Sequence, residues 1–359
     1  MVVFFNPYNS KSSGPAIHAY EFISHVRKLY NNQIIEIKFS DKETSFFDAN
    51  EINLILNNRI WTFIYSVFLL LPKESAKYFS FKNVNILRKF ISKNPELQIY
   101  FFGFAKTGLY VKFIDAKRSI ITLPDAQSMR YVQYLKKNFS IKIFLQLLFY
   151  KLLERRTLMH FDLIHVVAKK DAEYLTKFCV KYLPFHLSKK LICNVNKAEG
   201  SIIFLSPLNV ELLDQIIPAL LLNNKITKIC IHDNLKVIKN QKYKNEKVNI
   251  VNWIQDYENF TSSFQVIVVD DPVDSTGMST RVTHQIYSGN IVLGNKIAFR
   301  NLDSIFYEYV YDCNSTLLFK INEIVEDRKM RPGNYLINNL FNLMNFNKIF
   351  ISQNNFFKN

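Results

Sequence analysis

Arg281 and His284 stand three residues apart inside a stretch, 264–295, whose residue types suit the holding of an anion. The stretch opens on Val266, Ile267, Val268 and Val269 and ends that run with two carboxylates, Asp270 and Asp271. Such a run is typical of a buried parallel strand, and adjacent carboxylates at its end are expected to face solvent. Pro272 stops the strand, and Asp274-Ser275-Thr276-Gly277 forms a small polar turn with helix-capping candidates. Met278, Val282 and Ile286 recur every four residues, which predicts a helix to about 288 with Gly289 as its left-handed end. Ile291 to Leu293 is a second strand. Strand, loop, helix and strand make a βαβ unit. Its loop lies where free amides and a helix dipole meet a phosphate, with Arg281 one turn inside. An ordinary strand–helix connection is the other reading.

Other residue types able to move a proton are Asp125, after the predicted strand 119–123, and His18, early in the helix predicted over 16–30. Capping of the next helix is the structural alternative for Asp125, and a satisfied surface histidine is that for His18.

The elements around these residues alternate. Residues 2–5, 33–39, 97–102, 119–123 and 162–167 read as strands, while 51–71, 83–92 and 139–158 read as helices, a doubly wound α/β pattern. A polar segment, 191–201, separates it from a second alternation with strands at 202–205, 229–232 and 248–251 and a helix at 210–222. A terminal helix carries Leu336, Leu340 and Leu343. The reading is therefore a domain over 1–195, another over 196–331, and a helix and tail over 332–359.

The 359 residues suffice for two domains. Hydrophobic residues make up 48% and charged residues 21%, a globular balance. Four cysteines, without a CxxC pair, predict buried thiols in a reducing compartment, with no disulfide frame and no zinc. The start lacks a basic n-region, so no signal peptide is expected. The most apolar run, 60–71, spans about a dozen residues where a bilayer needs about 20. A net charge of +16 suits nucleic acid, an anionic membrane surface or phosphorylated small molecules. No nucleic-acid-binding motif is present, and nucleic acid is not an expected partner. Segments 60–73 and 147–156 combine apolar bulk with flanking positive charge, as interfacial helices do. Core packing explains their apolar residues as well.

Several motifs together resemble a GT-B glycosyltransferase, two Rossmann-like domains facing across a cleft, and within that class glycosyltransferase family 4 in its bacterial surface-polysaccharide branch. Ser12-Ser13-Gly14-Pro15 resembles the acceptor-side glycine loop. The passage from Asp125 through Glu154-Arg155 to Phe161-Asp162 and Asp171 resembles that family's aspartate, long helix and aspartate-bearing strand. Val251 to Tyr257, with Trp253 and Ile254, resembles the segment beside the nucleotide base, and Ser275-Thr276-Gly277 through Arg281 to Gly289 resembles the element that holds the donor phosphates and sugar.

The resemblance implies a nucleotide sugar as donor substrate, no cofactor and no metal. It implies a glycan or lipid-linked glycan as acceptor, in capsule, O-antigen or lipopolysaccharide synthesis, and a cytoplasmic protein lying peripherally on the membrane's inner face. Donor-binding residues would be Trp253, Ile254, Asp274, Ser275, Thr276, Gly277, Thr280, Arg281 and His284. Ser12, Ser13 and Gly14 would flank the acceptor, with Asp125 or His18 as base. Two departures stand out. Thr276 and His284 occupy the places of the glutamate pair found in many members, and Ser206-Pro207-Leu208 replaces an Arg/Lys pair. Arg281, with Lys296 or Arg300, would have to supply the positive charge. A non-catalytic GT-B-like protein that binds a glycan or a partner is the alternative.

Overall fold

The computed structural model describes residues 2–8, 14–29, 34–40, 51–183, 197–238, 243–271, 279–302 and 304–327. They fall into two compact units, 2–183 and 197–327. The terminal helix and the loops holding Ser12, Ser13, Asp274, Ser275, Thr276, Gly277 and Met278 lie outside the described residues.

The first unit contains β1 (Val2–Phe5), α1 (Gly14–Leu29), β2 (Ile34–Ser40), β3 (Glu51–Ile55), α2 (Arg59–Phe68), α3 (Lys73–Tyr78), α4 (Phe81–Ser92), β4 (Gln98–Phe101), α5 (Phe104–Thr107), β5 (Arg118–Leu123), α6 (Gln127–Lys137), α7 (Ile141–Thr157), β6 (Leu163–Val166), α8 (Lys169–Tyr174) and β7 (Val180–Tyr182). Its seven strands are all parallel, in the order β3-β2-β1-β4-β5-β6-β7. Successive strand residues point to opposite faces, so Val3 and Phe5 enter one core and Phe4 the other. Helix α1 covers the Phe4 side with Ala19, Phe22, Ile23 and Val26.

The segment 51–71, expected to be one helix, is a strand and a helix. In β3, Ile52 and Leu54 turn inward while Glu51, Asn53 and Ile55 lie outward. That period of two fits a sheet edge against β2, where Lys38 Nζ meets Glu51 at 2.8 Å. Asn58 then caps α2, its side chain accepting the Trp61 amide at 3.0 Å.

The second unit contains β8 (Ala198–Leu205), α9 (Val210–Leu221), β9 (Lys228–His232), β10 (Val248–Val251), α10 (Tyr257–Ser262), β11 (Phe264–Val269), α11 (Thr280–Tyr287), β12 (Ile291–Asn295), β13 (Val310–Tyr311) and α12 (Asn314–Asp327). Its six parallel strands run β10-β9-β8-β11-β12-β13. This repeats the winding of the first sheet. Strand order reverses between β1 and β4 in one unit and between β8 and β11 in the other. At such a reversal the flanking loops diverge and leave a crevice at the strands' carboxyl ends, the usual ligand position in a doubly wound sheet.

Candidate functional site

At the reversal in the second sheet, Arg281 joins the two diverging strands. Its guanidinium donates to the carbonyl of Ser206, just past β8, and to the carboxylate of Asp271, just past β11. Arg300 takes the other Asp271 oxygen at 2.5 Å. Asp271 is only 4% exposed, so the expectation that both terminal carboxylates face solvent does not hold. An unpaired charge there would be expensive to bury, and two guanidiniums neutralise it. Asp270 accepts from Asn295 Nδ2 at 2.6 Å and from the Tyr311 hydroxyl at 2.8 Å.

The sequence of α11 explains how Arg281 is presented. Val282, Thr283, Gln285 and Ile286 are buried, while Thr280, Arg281 and His284 remain half-buried. Gln285 Oε1 accepts from Asn290 at 2.6 Å and from Thr261 at 3.1 Å, which pins the inner face. Gly289, at φ +77°, ends the helix, and the Asn290 amide donates back to the Gln285 carbonyl at 3.0 Å. Ser206 also donates its hydroxyl to Asn234, beyond β9. Asp233 shapes that loop by accepting the amides of Val237 and Ile238 at 2.9 and 2.8 Å.

Two titratable rings lie within the field of Arg281. His232 is held below its ordinary pKa by burial and then by Arg281, against the pull of Asp233. The Tyr257 phenol is pushed up to about 12 by burial, with Arg281 opposing. His232 and Tyr257 have ring centroids 6.0 Å apart. A neutral imidazole, a phenol and a fixed guanidinium beside one crevice can hold an anion together with polar groups next to it. Beyond β10, Trp253 is 75% exposed and Ile254 packs inward at 9%.

The first sheet's reversal is lined differently. Asn6-Pro7-Tyr8 leaves β1 beside Gly103, which follows β4. Gly103 has φ +66°, and a Cβ on it would lie 2.7 Å from Pro7 Cγ, so this close approach requires glycine. Lys106, on α5, places Nζ 4.7 Å from the Tyr8 ring centroid, 5.2 Å from that of Tyr78 and 3.7 Å from Glu74. Burial lowers the Lys106 pKa, against Glu74. The Tyr8 phenol is raised by burial and then by the charges of Glu74, Tyr78 and Asp125. Tyr150 donates to Glu74 at 3.4 Å and stacks on Tyr131 with centroids 5.0 Å apart.

Asp125 belongs to this rim. It stands past the carboxyl end of β5, its side chain 19% exposed and 3.8 Å from Arg130. Helix α6 makes no side-chain cap bond and begins after Ala126, so Asp125 is not its cap. The Ala126 amide donates to buried Asp171 at 3.3 Å, and the Ser128 amide to buried Glu154 at 2.9 Å. Asp162 accepts the Ser119 amide at 2.7 Å at the start of β5. Three carboxylates of the sequence motif therefore place backbone, while Asp125 lies near Arg130 and adds its charge to those acting on the Tyr8 phenol.

His18 is 4% exposed and edge-on to Phe22 and Phe102. His18 is thus a buried histidine and not a surface one, whereas the Asp125 side chain is 19% exposed. Glu74, Lys106, Tyr8 and Tyr150 were not singled out from the sequence. The only available signal for Tyr8 and Lys106 was position, just past the ends of two predicted strands.

No family model matches the sequence, and no curated protein matches it. Solved structures do match in fold. Sucrose-phosphate synthase from Thermosynechococcus elongatus superposes with a TM-score of 0.58 at 11% identity, covering 98% of this chain and 96% of that one. A trehalose 6-phosphate synthase from Burkholderia multivorans gives 0.58 at 8% identity, covering 97% and 95%. A UDP-glucose: anthocyanidin 3-O-glucosyltransferase in complex with UDP gives 0.51 at 12% identity, covering 96% and 93%. All three are glycosyltransferases built from two Rossmann-like domains, and the α/β architecture of this chain is the one they share, the GT-B fold.

Proposed function

We propose that the chain is a glycosyltransferase that moves a sugar from a nucleotide-sugar donor, bound by the second unit, to a glycan acceptor, bound by the first. The observation that carries this reading is the guanidinium of Arg281, fixed at the switch point of the second sheet. In the reaction the acceptor oxygen forms a bond to the sugar's anomeric carbon. The bond from that carbon to the nucleotide's pyrophosphate breaks, and its electron pair leaves on the phosphate oxygen. Arg281 and the first amides of α11 are suited to that growing charge. Asp125 would accept the proton of the acceptor hydroxyl. The structural neighbour that holds UDP and the GT-B fold support the donor class.

The finer reading rests on the sequence resemblance to family 4. It makes the acceptor lipid-linked, the pathway bacterial surface polysaccharide, the chemistry metal-independent and the location cytoplasmic. The second reading is a non-catalytic GT-B-like protein that binds a glycan or a partner. It is favoured by Arg281 being bonded to Asp271 and Ser206, and by Thr276 and His284 standing where many members carry glutamates.

A thermal-shift screen with UDP, GDP, CMP and dTDP, and with their sugar nucleotides, tests the choice. A ligand at about 100 times its Kd adds about 2.7 kcal/mol of stability. A shift with one nucleotide class, abolished in Arg281→Ala, is the expected result. No shift with any of them overturns the transferase reading in favour of the binding protein.

A further inference from the structure

A groove of about 920 Å³ opens at the amino ends of β4, β5 and β6 in the first unit. The strands of that sheet are parallel, so this is the pole opposite the crevice of Tyr8 and Lys106. Strands β4 and β5, of four and six residues, keep the two places roughly 13–20 Å apart at about 3.3 Å per residue. The volume falls among those of ligand sites, about 300–1,000 Å³. None of the residues assigned above to donor or acceptor lines it.

Two of its polar groups are held in place by backbone. Arg88, on α4, donates from Nε to the Phe113 carbonyl at 2.6 Å, which fixes the guanidinium and leaves its outer nitrogens exposed. Asp162 accepts the Ser119 amide at 2.7 Å, and its own amide donates to the Ser119 carbonyl at 2.9 Å. Ile91, Val111 and Ile114, all buried, give the groove an apolar floor. Lys112, Asp115 and His160 line it as exposed side chains. Among the described residues, neither the Lys112 nor the Asp115 side chain makes a hydrogen bond or ion pair.

Charge decides the ligand class. Lys117 is paired with Glu96. Of the remaining lining charges, Arg88 and Lys112 are matched by Asp115 and Asp162, so the groove is balanced on a chain of net charge +16. A polyanion would be repelled by the two carboxylates as much as it is drawn by the two cations. Sugar hydroxyls both donate and accept, and so suit carboxylates, a guanidinium, an ammonium and an imidazole together. Phe113, half-buried and edge-on to Phe81 with centroids 5.9 Å apart, adds an apolar surface for the C–H side of a sugar ring. The groove is open to solvent, and an open groove admits a stretch of polymer.

We propose that this groove is a second glycan site, which holds an uncharged stretch of oligosaccharide away from the crevice. It is read from the groove's own residues and holds whether the chain transfers a sugar or only binds a glycan. Binding of the full chain to an array of neutral, uronic-acid-containing, sulfated and phosphorylated oligosaccharides tests it, with the affinity of each bound one then measured by calorimetry. At least one neutral oligosaccharide should bind. The Lys112→Ser, Asp115→Ser double variant should bind it about tenfold more weakly or worse, through lost hydrogen bonds to two charged groups. Its unfolding midpoint and any nucleotide-induced thermal shift should match wild type, so failure here leaves the transferase reading standing. Asp125→Asn, at the opposite pole, should bind the oligosaccharide as wild type does. Equal binding by wild type and the double variant overturns the proposal, as does loss of binding in Asp125→Asn, which assigns the glycan to the crevice. Binding of no neutral oligosaccharide, or of charged ones alone, overturns it too.

Discussion

Arg281 donates to Asp271 from ten residues further along the chain, and that bond ties the first turn of α11 to the end of β11. Arg300 holds the other oxygen of the same carboxylate. The Arg281–Asp271–Arg300 trio carries one positive charge in excess, which the neighbouring Asp270 carboxylate balances, and Arg281 remains 25% exposed. The arrangement fixes a cation at the crevice without leaving a carboxylate unpaired.

Asp271→Ala leaves the guanidiniums of Arg281 and Arg300 without their shared partner. Removing one member of a buried ion pair costs about 3–5 kcal/mol, so urea unfolding should show a loss near the lower end of that range. Arg281→Ala should destabilise less, because Arg300 still neutralises Asp271, and should remove the nucleotide-induced thermal shift. A stability loss for Arg281→Ala as large as that for Asp271→Ala would show that Arg300 does not compensate.

Asp125→Asn keeps the shape of the side chain and removes the proton acceptor. Transfer assayed with the donor identified by the thermal-shift screen should fall about 10²–10⁴-fold in kcat. The donor's thermal shift should be unchanged, because the donor is assigned to the other unit. Full activity in this variant would remove Asp125 from the chemistry.

Gly103→Ala introduces a Cβ 2.7 Å from Pro7 Cγ at a backbone φ of +66°. Strain of this kind costs about 1–3 kcal/mol. A lowered thermal midpoint is expected, together with weakened acceptor binding, since the β1 and β4 loops must move apart.

His165 gives the fold an acid limit. It is fully buried, with Nδ1 2.5 Å from the Tyr100 hydroxyl, and burial, with the positive charges of Lys181, His18 and Arg118, lowers its pKa from 6.5 to about 3. The unfolded chain takes up this proton below about pH 6.5 and the folded chain does not. Stability is therefore fully present above that pH and declines as pH falls toward 3, by roughly 1 kcal/mol per pH unit from this group. Thermal midpoints measured from pH 7 to 4 should fall less steeply in His165→Gln than in wild type. An unchanged slope would mean that the imidazole is protonated in the folded protein.

What could be read locally was determined by the amino-acid sequence alone. Short, largely continuous apolar runs marked β1, β5, β6 and β11, and the repeat of Val282 and Ile286 before Gly289 marked α11 and its end. These are contacts between near neighbours, and the strand–helix alternation they imply already describes two Rossmann-like halves. Arg281 stood out because its position in α11 follows from that local pattern.

The partners of Arg281 did not follow from it. Ser206 lies 75 residues away, and only the placing of β8 beside β11 brings its carbonyl to the guanidinium. Asp271 looked like a solvent-facing strand end until two distant guanidiniums neutralised it. The crevice of Tyr8, Glu74, Lys106 and Asp125 is assembled from the ends of β1, β4 and β5 and from α3, elements far apart in sequence. Helix α2 shows the same limit from the other direction. Its sequence carries a polar stripe, Arg59, Thr62 and Ser66, which by pattern alone would be read as the solvent side, yet Thr62 is its one buried residue. Hydrogen bonding of Thr62 and Ser66 and the packing of the first unit against them settled that face, and so left the aromatic side outward.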